Sequence, residues 1–212
     1  MIFDLDGTLV DSIGLIVDSY QNGFRQALGH EWDETEIRTW IGLSLSEALE
    51  QVFPDQPDTA ATVYAGYMSW NEAHMATDLT AYPGIADLMA ELAGAGLRLG
   101  AVTSKRAKNA VWSLELAGLT DTVPLLVSHD DTDRHKPDPA PLLLAASKLG
   151  VKPESCVYVG DAASDIEAAH RAGMAGIAVT WGAGTPDDLA AAQPAVVCDS
   201  IAQLRAALLA TT

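Results

Sequence analysis

The chain opens with MIFDLDGTLVDS (residues 1–12), the stretch on which the interpretation of the whole sequence depends. Ile2-Phe3 indicates a short buried strand that runs into two carboxylates, Asp4 and Asp6, and Gly7-Thr8 marks a tight turn. On a continuing strand, a spacing of two residues would place both carboxylates on one face. That arrangement suits a nucleophile beside an acid/base, or two groups that share a divalent metal. The structural alternative is an edge-strand turn with two solvated aspartates.

Composition limits the class of protein and its partners. The chain has 212 residues, of which 49% are hydrophobic, enough for a packed core in one domain or two small ones. Its formal net charge of −17 argues against nucleic acid or an anionic membrane as a partner, because both require a basic face. We find no secretory signal, apolar run of membrane length or lipidation motif, and Cys156 and Cys198 fall in separate predicted strands. A reducing, cytoplasmic location is therefore expected.

Two different patterns follow the opening strand. Residues 12–80 carry helical periodicity throughout, including two capping-box sequences that begin at Asp33 and Ser44. Beyond Pro83-Gly84, apolar strands alternate with helices, which predicts a parallel sheet covered on both faces. The predicted fold class is therefore α/β, a doubly wound parallel sheet with an inserted all-helical domain. We assign residues 1–11 and 81–212 to the sheet domain and residues 12–80 to the insertion.

The predicted strands deliver polar side chains to one edge of the sheet. In a doubly wound sheet, ligands bind at the carboxyl ends of the strands. Taken singly, each of these residues has an ordinary structural use, as a strand-end cap, a solvated charge or a helix N-cap. These ordinary structural uses do not explain why all of the polar residues lie at one edge of the sheet. Besides Asp4 and Asp6, the set contains Thr103 and Ser104, Lys136, and Asp161 with Asp165.

This combination resembles the haloacid dehalogenase superfamily, in its phosphatase branch. The resemblance rests on Asp4-x-Asp6-Gly7-Thr8, Thr103, Lys136-Pro137 and Gly160-Asp161-x-x-x-Asp165, in this order. It spans essentially the whole chain and implies a Rossmann-like core. The helical insertion resembles the mobile cap of that superfamily. Within the superfamily, the sequence pattern most resembles that of phosphoglycolate phosphatases.

The resemblance implies a role for each residue. Asp4 would attack phosphorus to form an aspartyl-phosphate, and Asp6 would act as general acid and then general base. Thr103, Ser104 and Lys136 would hold the phosphoryl oxygens. Mg²⁺ would be bound by the Asp4 side chain, the Asp6 carbonyl and Asp161, with Asp165 as a direct or outer ligand.

Substrate choice would belong to the insertion. The loop between its two short helices, with Gly42 and Ser44, is the candidate specificity element, although it could equally be a simple helix connection. The expected partner is a small phosphorylated metabolite, phosphoglycolate-like, and the expected state is a monomer or a homodimer. The insertion holds two basic residues, Arg25 and Arg38, against eleven acids, so a second anionic end of a substrate would find few partners there.

Other activities are ranked by the residues present. A dehalogenase of this superfamily lacks the second acid, which Asp6 supplies here. A phosphonoacetaldehyde hydrolase uses a cap lysine, and residues 12–80 contain none. A sugar phosphomutase or an inorganic pyrophosphatase on the same core stays open. A non-catalytic binding module is disfavoured because Asp4, Asp6 and Asp161 are all present.

Only three residues precede Asp4, so we expect a first strand that is short at its amino end, or a start that lies further upstream.

Overall fold

The computed structural model describes residues 1–210. Two 3₁₀ turns, at His129–Asp131 and Pro153–Ser155, lie between the regular elements. The elements follow in the order β1 (Ile2–Phe3), β2 (Val10–Asp11), α1 (Ile13–Leu28), α2 (Glu34–Trp40), α3 (Leu45–Val52), α4 (Pro57–Asp78), β3 (Thr80–Ala81), α5 (Ile85–Gly94), β4 (Gly100–Val102), α6 (Ala107–Leu116), β5 (Leu125–Val127), α7 (Ala140–Leu149), β6 (Val157–Gly160), α8 (Ala163–Ala172), β7 (Ala175–Val179), α9 (Pro186–Ala191), β8 (Val196–Cys198) and α10 (Ile201–Leu209).

A six-stranded parallel sheet with strand order β5-β4-β1-β6-β7-β8 forms the centre of the fold. Strand β1 lies between β4 and β6, with Phe3 in register with Ala101 on one side and Val159 on the other. The chain therefore builds the sheet outward from β1 in both directions, which creates the switch point of a doubly wound sheet beside that strand. The predicted fold class is confirmed, and the opening stretch stands at its centre.

Both faces of the sheet are buried. Ile2 and Phe3 are fully buried and belong to two different apolar clusters, one on each face. Phe3 packs with residues of α5, α6 and α10, whereas Ile2 packs with residues of α7 and α8. Because successive strand side chains point to opposite faces, two residues are enough to anchor β1 between both helical layers. Burial of each such side chain stabilises the fold by about 1.5–3 kcal/mol.

Helices α1–α4, here termed the cap, form a separate apolar cluster. The chain leaves the sheet through β2 and returns through β3, and these two strands pair with each other as an antiparallel ribbon in which Val10 faces Ala81 and Asp11 faces Thr80. The expectation that residues 12–80 hold no strand is therefore wrong at Thr80. Strands of two residues are too short to show periodicity, and the ribbon therefore leaves no pattern in the sequence. The proposed domain boundaries fall at this ribbon.

The cap depends on a close approach of α1 and α4 at two glycines. A Cβ on Gly66 would lie 2.8 Å from the Cα of Gly23, and a Cβ on Gly23 would lie 2.5 Å from the carbonyl oxygen of Val63. Backbone atoms cannot move aside as a flexible side chain can, so the two helices touch only because neither position carries a side chain. In the same helix as Gly23, Gly14 has open space around it.

We expect Gly66→Ala to lower the free energy of unfolding by about 1–3 kcal/mol, because the added methyl group overpacks a backbone contact. Chemical denaturation monitored by circular dichroism measures this change. Gly14→Ala is the matched control and should leave stability unchanged or slightly higher, because alanine favours helix where there is room. Equal stability of the two variants would contradict the close contact.

Candidate active site

The carboxyl end of β1 brings Asp4 and Asp6 to one cavity by different routes. Asp4 continues the strand, because its amide donates to the carbonyl of Val159 at 2.8 Å, and its side chain is 6% exposed. The chain then turns, with the amide of Val10 donating to the carbonyl of Leu5 at 3.0 Å. Asp6 therefore reaches the cavity from a turn and not from a continuing strand, and both aspartates line it.

The turn needs glycine at position 7. Gly7 has a φ of +75°, and a Cβ there would lie 2.3 Å from Oδ2 of Asp161. The next residue, Thr8, is fully buried and donates its hydroxyl to Oδ1 of Asp161 at 2.8 Å. The DxDGT turn is therefore packed directly against the carboxylate that ends β6.

Lys136 lies between two buried carboxylates. Its Nζ is 3.0 Å from Oδ1 of Asp4, 2.6 Å from Oδ1 of Asp165 and 3.1 Å from the hydroxyl of Tyr158, and its side chain is 2% exposed. Burial alone would lower the pKa of this lysine, but the attraction of Asp165 and Asp4 outweighs burial and raises the pKa well above its usual value. The structural alternative of a solvated loop charge is therefore excluded.

Asp161 is held by the loop that follows β7. The amide of Ala183 donates to its Oδ2 at 2.8 Å, and the amide of Gly184 donates to its carbonyl at 3.1 Å. Burial, together with repulsion from Asp165, raises the pKa of Asp161 to about 7. Burial likewise raises the pKa of Asp4 well above its usual value, although Lys136 counteracts this.

Asp4, Asp161 and Asp165 form a cluster that fits a divalent metal. Each offers a carboxylate oxygen, and the three oxygens lie within 4.8 Å of one another, all buried. Within residues 1–210, the buried Oδ1 of Asp4 lies 3.0 Å from Nζ of Lys136 as an ion pair but accepts no well-aligned hydrogen bond. An all-oxygen set with excess negative charge suits Mg²⁺. Since Oδ1 of Asp165 pairs with Lys136 and its Oδ2 accepts from the Ala162 amide at 3.0 Å, Asp165 is better placed to orient the cluster than to bind through both oxygens.

The end of β4 supplies hydroxyl groups. Thr103 is 5% exposed and lines the cavity, and its Oγ1 accepts from the amide of Lys105 at 3.1 Å, which leaves the hydroxyl proton available for a ligand. Ser104 donates its hydroxyl to the carbonyl of Gly42 in the cap at 2.7 Å. In this arrangement Ser104 joins sheet and cap, so its predicted contact with a phosphoryl oxygen stays a prediction.

Lys105 is the site residue that sequence reasoning missed. Its Nζ donates to Oδ1 of Asp6 at 2.7 Å and to the hydroxyl of Ser113 at 3.2 Å. Ser12 donates to the same oxygen of Asp6 at 2.6 Å, so Oδ2 of Asp6 is left without a partner within the described residues. The available signal was the position of Lys105, directly after Thr103-Ser104 at a strand end.

The loop between α2 and α3 forms part of the cap side of the cavity. Gly42 has a φ of +105° and presents its carbonyl to Ser104. Ser44 accepts from the amide of Glu47 at 3.2 Å while the carboxylate of Glu47 accepts from the amide of Ser44 at 2.9 Å, which confirms the predicted capping box. Both predicted specificity residues line the cavity, which encloses about 100 Å³. Their role in specificity remains a prediction.

A carboxylate at the end of the central strand, a second acid beside it, a buried lysine and an acidic cluster that fits a metal together suit a hydrolase built on a doubly wound sheet. The haloacid dehalogenase-like hydrolase profile matches residues 1–179, and the chain belongs to that family.

Named relatives agree with this assignment. The chain is 37% identical over 209 residues to the probable phosphatase IndB of Dickeya dadantii, covering 96% of this chain and 90% of that protein. It is 33% identical over 181 residues to the pyrophosphatase PpaX of Bacillus pumilus, covering 85% and 82%. The crystal structure of a predicted phosphoglycolate phosphatase from Haemophilus somnus superposes with a TM-score of 0.87 at 25% identity, covering 100% of this chain and 96% of that one.

We expect millimolar Mg²⁺ to raise the melting temperature at pH 8, because the ion offsets the repulsion within the acid cluster. The effect should shrink as the pH falls through about 7, because Asp161 then takes up a proton that competes with the metal. Differential scanning fluorimetry at pH 8 and pH 5.5 measures both effects. Asp161→Asn should abolish the shift, whereas Asp58→Asn, which changes an exposed cap carboxylate, should retain it. A shift of equal size at both pH values would contradict the site.

Proposed function

We propose that this protein is a Mg²⁺-dependent phosphatase that hydrolyses a small phosphate monoester through an aspartyl-phosphate on Asp4. The observation that supports this most is the buried ion pair that Lys136 forms with Asp4, which lines the same cavity as Asp6. Relatives named as phosphatases support the same reaction class.

The first step would be attack of an Asp4 carboxylate oxygen on phosphorus. A phosphorus–oxygen bond forms to Asp4, and the bond to the alcohol oxygen of the substrate breaks as Asp6 gives that oxygen a proton. Lys136 reduces the repulsion between an anionic nucleophile and an anionic substrate, and Thr103 can donate a hydrogen bond to a phosphoryl oxygen. Mg²⁺, held by Asp4 and Asp161 with the predicted help of the Asp6 carbonyl, would neutralise charge that develops on the phosphoryl group.

The second step would regenerate the enzyme. Water attacks the phosphorus of the aspartyl-phosphate, and Asp6, now a carboxylate, takes the proton from that water. Inorganic phosphate leaves and Asp4 returns to its starting state. Lys105 and Ser12 would hold Asp6 for both proton transfers, because both bond the same oxygen of its carboxylate. The cap covers the cavity and would limit the entry of bulk water.

Partners and location are proposed on the same basis. A net charge of −17 supports a small phosphorylated metabolite as partner over nucleic acid or an anionic membrane. Among residues 1–210, none of the helices combines the length and apolar character that crossing a membrane requires. A cytoplasmic location and a monomeric or homodimeric state remain predictions from the sequence. Phosphoglycolate and pyrophosphate are candidate substrates that the names of relatives suggest.

We expect Asp4→Asn to lower phosphate release on the order of 10³-fold or more, because an amide cannot act as the nucleophile. The assay is phosphate release from a panel of small esters with Mg²⁺, with circular dichroism to show that the fold survives. Asp18→Asn, at an exposed position of α1, is the control and should retain full activity. Retained activity in Asp4→Asn would overturn the mechanism.

We expect Lys105→Gln to slow turnover of alkyl phosphates about 10–100-fold, because Asp6 loses one of its two positioning partners. Esters with acidic leaving groups, such as p-nitrophenyl phosphate, should be affected less, since their departure requires little protonation. Lys108→Gln removes an exposed lysine of the same helix region and should change neither rate. The comparison is made on kcat/KM, which reports the formation of the aspartyl-phosphate and not its hydrolysis. Equal losses of kcat/KM for both ester types would show that Lys105 does not act on protonation of the leaving alcohol.

A further inference from the structure

The wall that the cap presents to the cavity consists mainly of apolar and aromatic side chains, and Ser44, Ser46 and Asn71 are its polar members. It faces the acids and hydroxyls of the sheet, so a substrate whose phosphoryl group sits at Asp4 has its alcohol half beside this wall. Its apolar and aromatic side chains come from α1, α2, the α2–α3 loop and α4. They include Tyr20, Trp40, Leu43, Tyr64, Tyr67 and Met68.

This wall carries no charge. The basic residues of the cap, Arg25 and Arg38, form ion pairs with Glu31 at 2.7 Å and Glu34 at 2.8 Å, outside the cavity. The charged side chains that line the cavity all belong to the sheet side, within the described residues. A carboxylate or second phosphate on the alcohol half would therefore lose water without gaining a counterion from the cap.

On the sheet side, Lys105 and Arg106 line the cavity and are both paired with carboxylates. His129 lines it as well, but burial and repulsion from His135 lower its pKa, which favours its neutral form. Lys105 is 11% exposed and bonds Asp6 at 2.7 Å, and Arg106 lies at the rim, 64% exposed and 3.4 Å from Asp130. Burial raises the pKa of the Tyr20 and Tyr67 hydroxyls well above the usual value, so these two side chains stay neutral. Their rings can pack against a flat group, and their hydroxyls can serve uncharged oxygens.

We propose, building on the phosphatase function above, that the alcohol half of the substrate is uncharged and bears a flat apolar or aromatic body that packs on this wall. This substrate class differs from phosphoglycolate and from pyrophosphate, both of which carry a second anionic end. The cap would disfavour both compounds because it offers no cation to pair with their second anionic group, in addition to any effect of shape.

A matched pair of esters tests the proposal on the wild-type protein with Mg²⁺. Benzyl phosphate and 4-carboxybenzyl phosphate have the same ring and similar leaving alcohols, and they differ by one carboxylate. We expect kcat/KM for benzyl phosphate to be about tenfold higher or more, because the carboxylate meets an apolar wall. Phosphoglycolate and pyrophosphate should rank below benzyl phosphate as well. Equal values, or a preference for the carboxylate, would overturn the proposal.

A charge placed in the wall gives an independent test. Met68→Lys supplies the missing cation on a side chain of similar length, and Met68→Leu is the uncharged control. We expect Met68→Lys to raise the ratio of kcat/KM for 4-carboxybenzyl over benzyl phosphate several-fold, and Met68→Leu to leave the ratio unchanged. An unchanged ratio in both variants, with both folded, would show that the alcohol half does not contact this wall.

Failure of the substrate proposal is distinguishable from failure of the phosphatase function. If the folded wild-type protein with Mg²⁺ releases phosphate from none of these esters, the proposed function fails. If it releases phosphate in an Asp4-dependent manner but prefers the carboxylated or doubly anionic compounds, only the substrate proposal fails.

Discussion

The ion pair between Lys136 and the carboxylates of Asp4 and Asp165 is the interaction on which the rest of the site depends. All three groups are nearly or wholly buried, so each carries a desolvation cost that only the others, or a bound cation, can offset. Removal of Lys136 would leave both buried carboxylates without their counterion. Lys136 therefore has two roles: it stabilises two carboxylates that packing has removed from water, and it places a cation beside the carboxylate that we propose reacts with phosphorus.

The site is assembled from sheet strands that are distant in sequence but adjacent in space. The ends of β1, β4 and β6 bring Asp4, Thr103 and Asp161 to one edge, and the turn after β1 is held against Asp161 by Thr8. This explains why the position of β1 at the centre matters: it is flanked by both other contributors. A carboxylate at an outer strand would have lacked them.

The sequence was sufficient to predict the fold class and the convergence at the sheet edge, because alternating helices and strands and the strand-end residues are local signals. It was not sufficient for Lys105, whose contact with Asp6 joins residues 99 positions apart. Nor could it show that Ser104 donates to Gly42, since that bond depends on how the cap lies on the sheet. Likewise, the β2–β3 ribbon is too short to leave a pattern. These two contacts and the ribbon depend on tertiary arrangement, which the periodicity of the sequence does not predict.

The β2–β3 ribbon has an evolutionary consequence. Because both connections to the cap meet in one antiparallel pair, the segment between them can lengthen, shorten or change sequence without moving β1 or the strands beside it. The entropic cost of a longer segment grows only slowly with its length. A lineage that duplicated this gene could thus change residues 12–80 while Asp4 and Lys136 keep their positions.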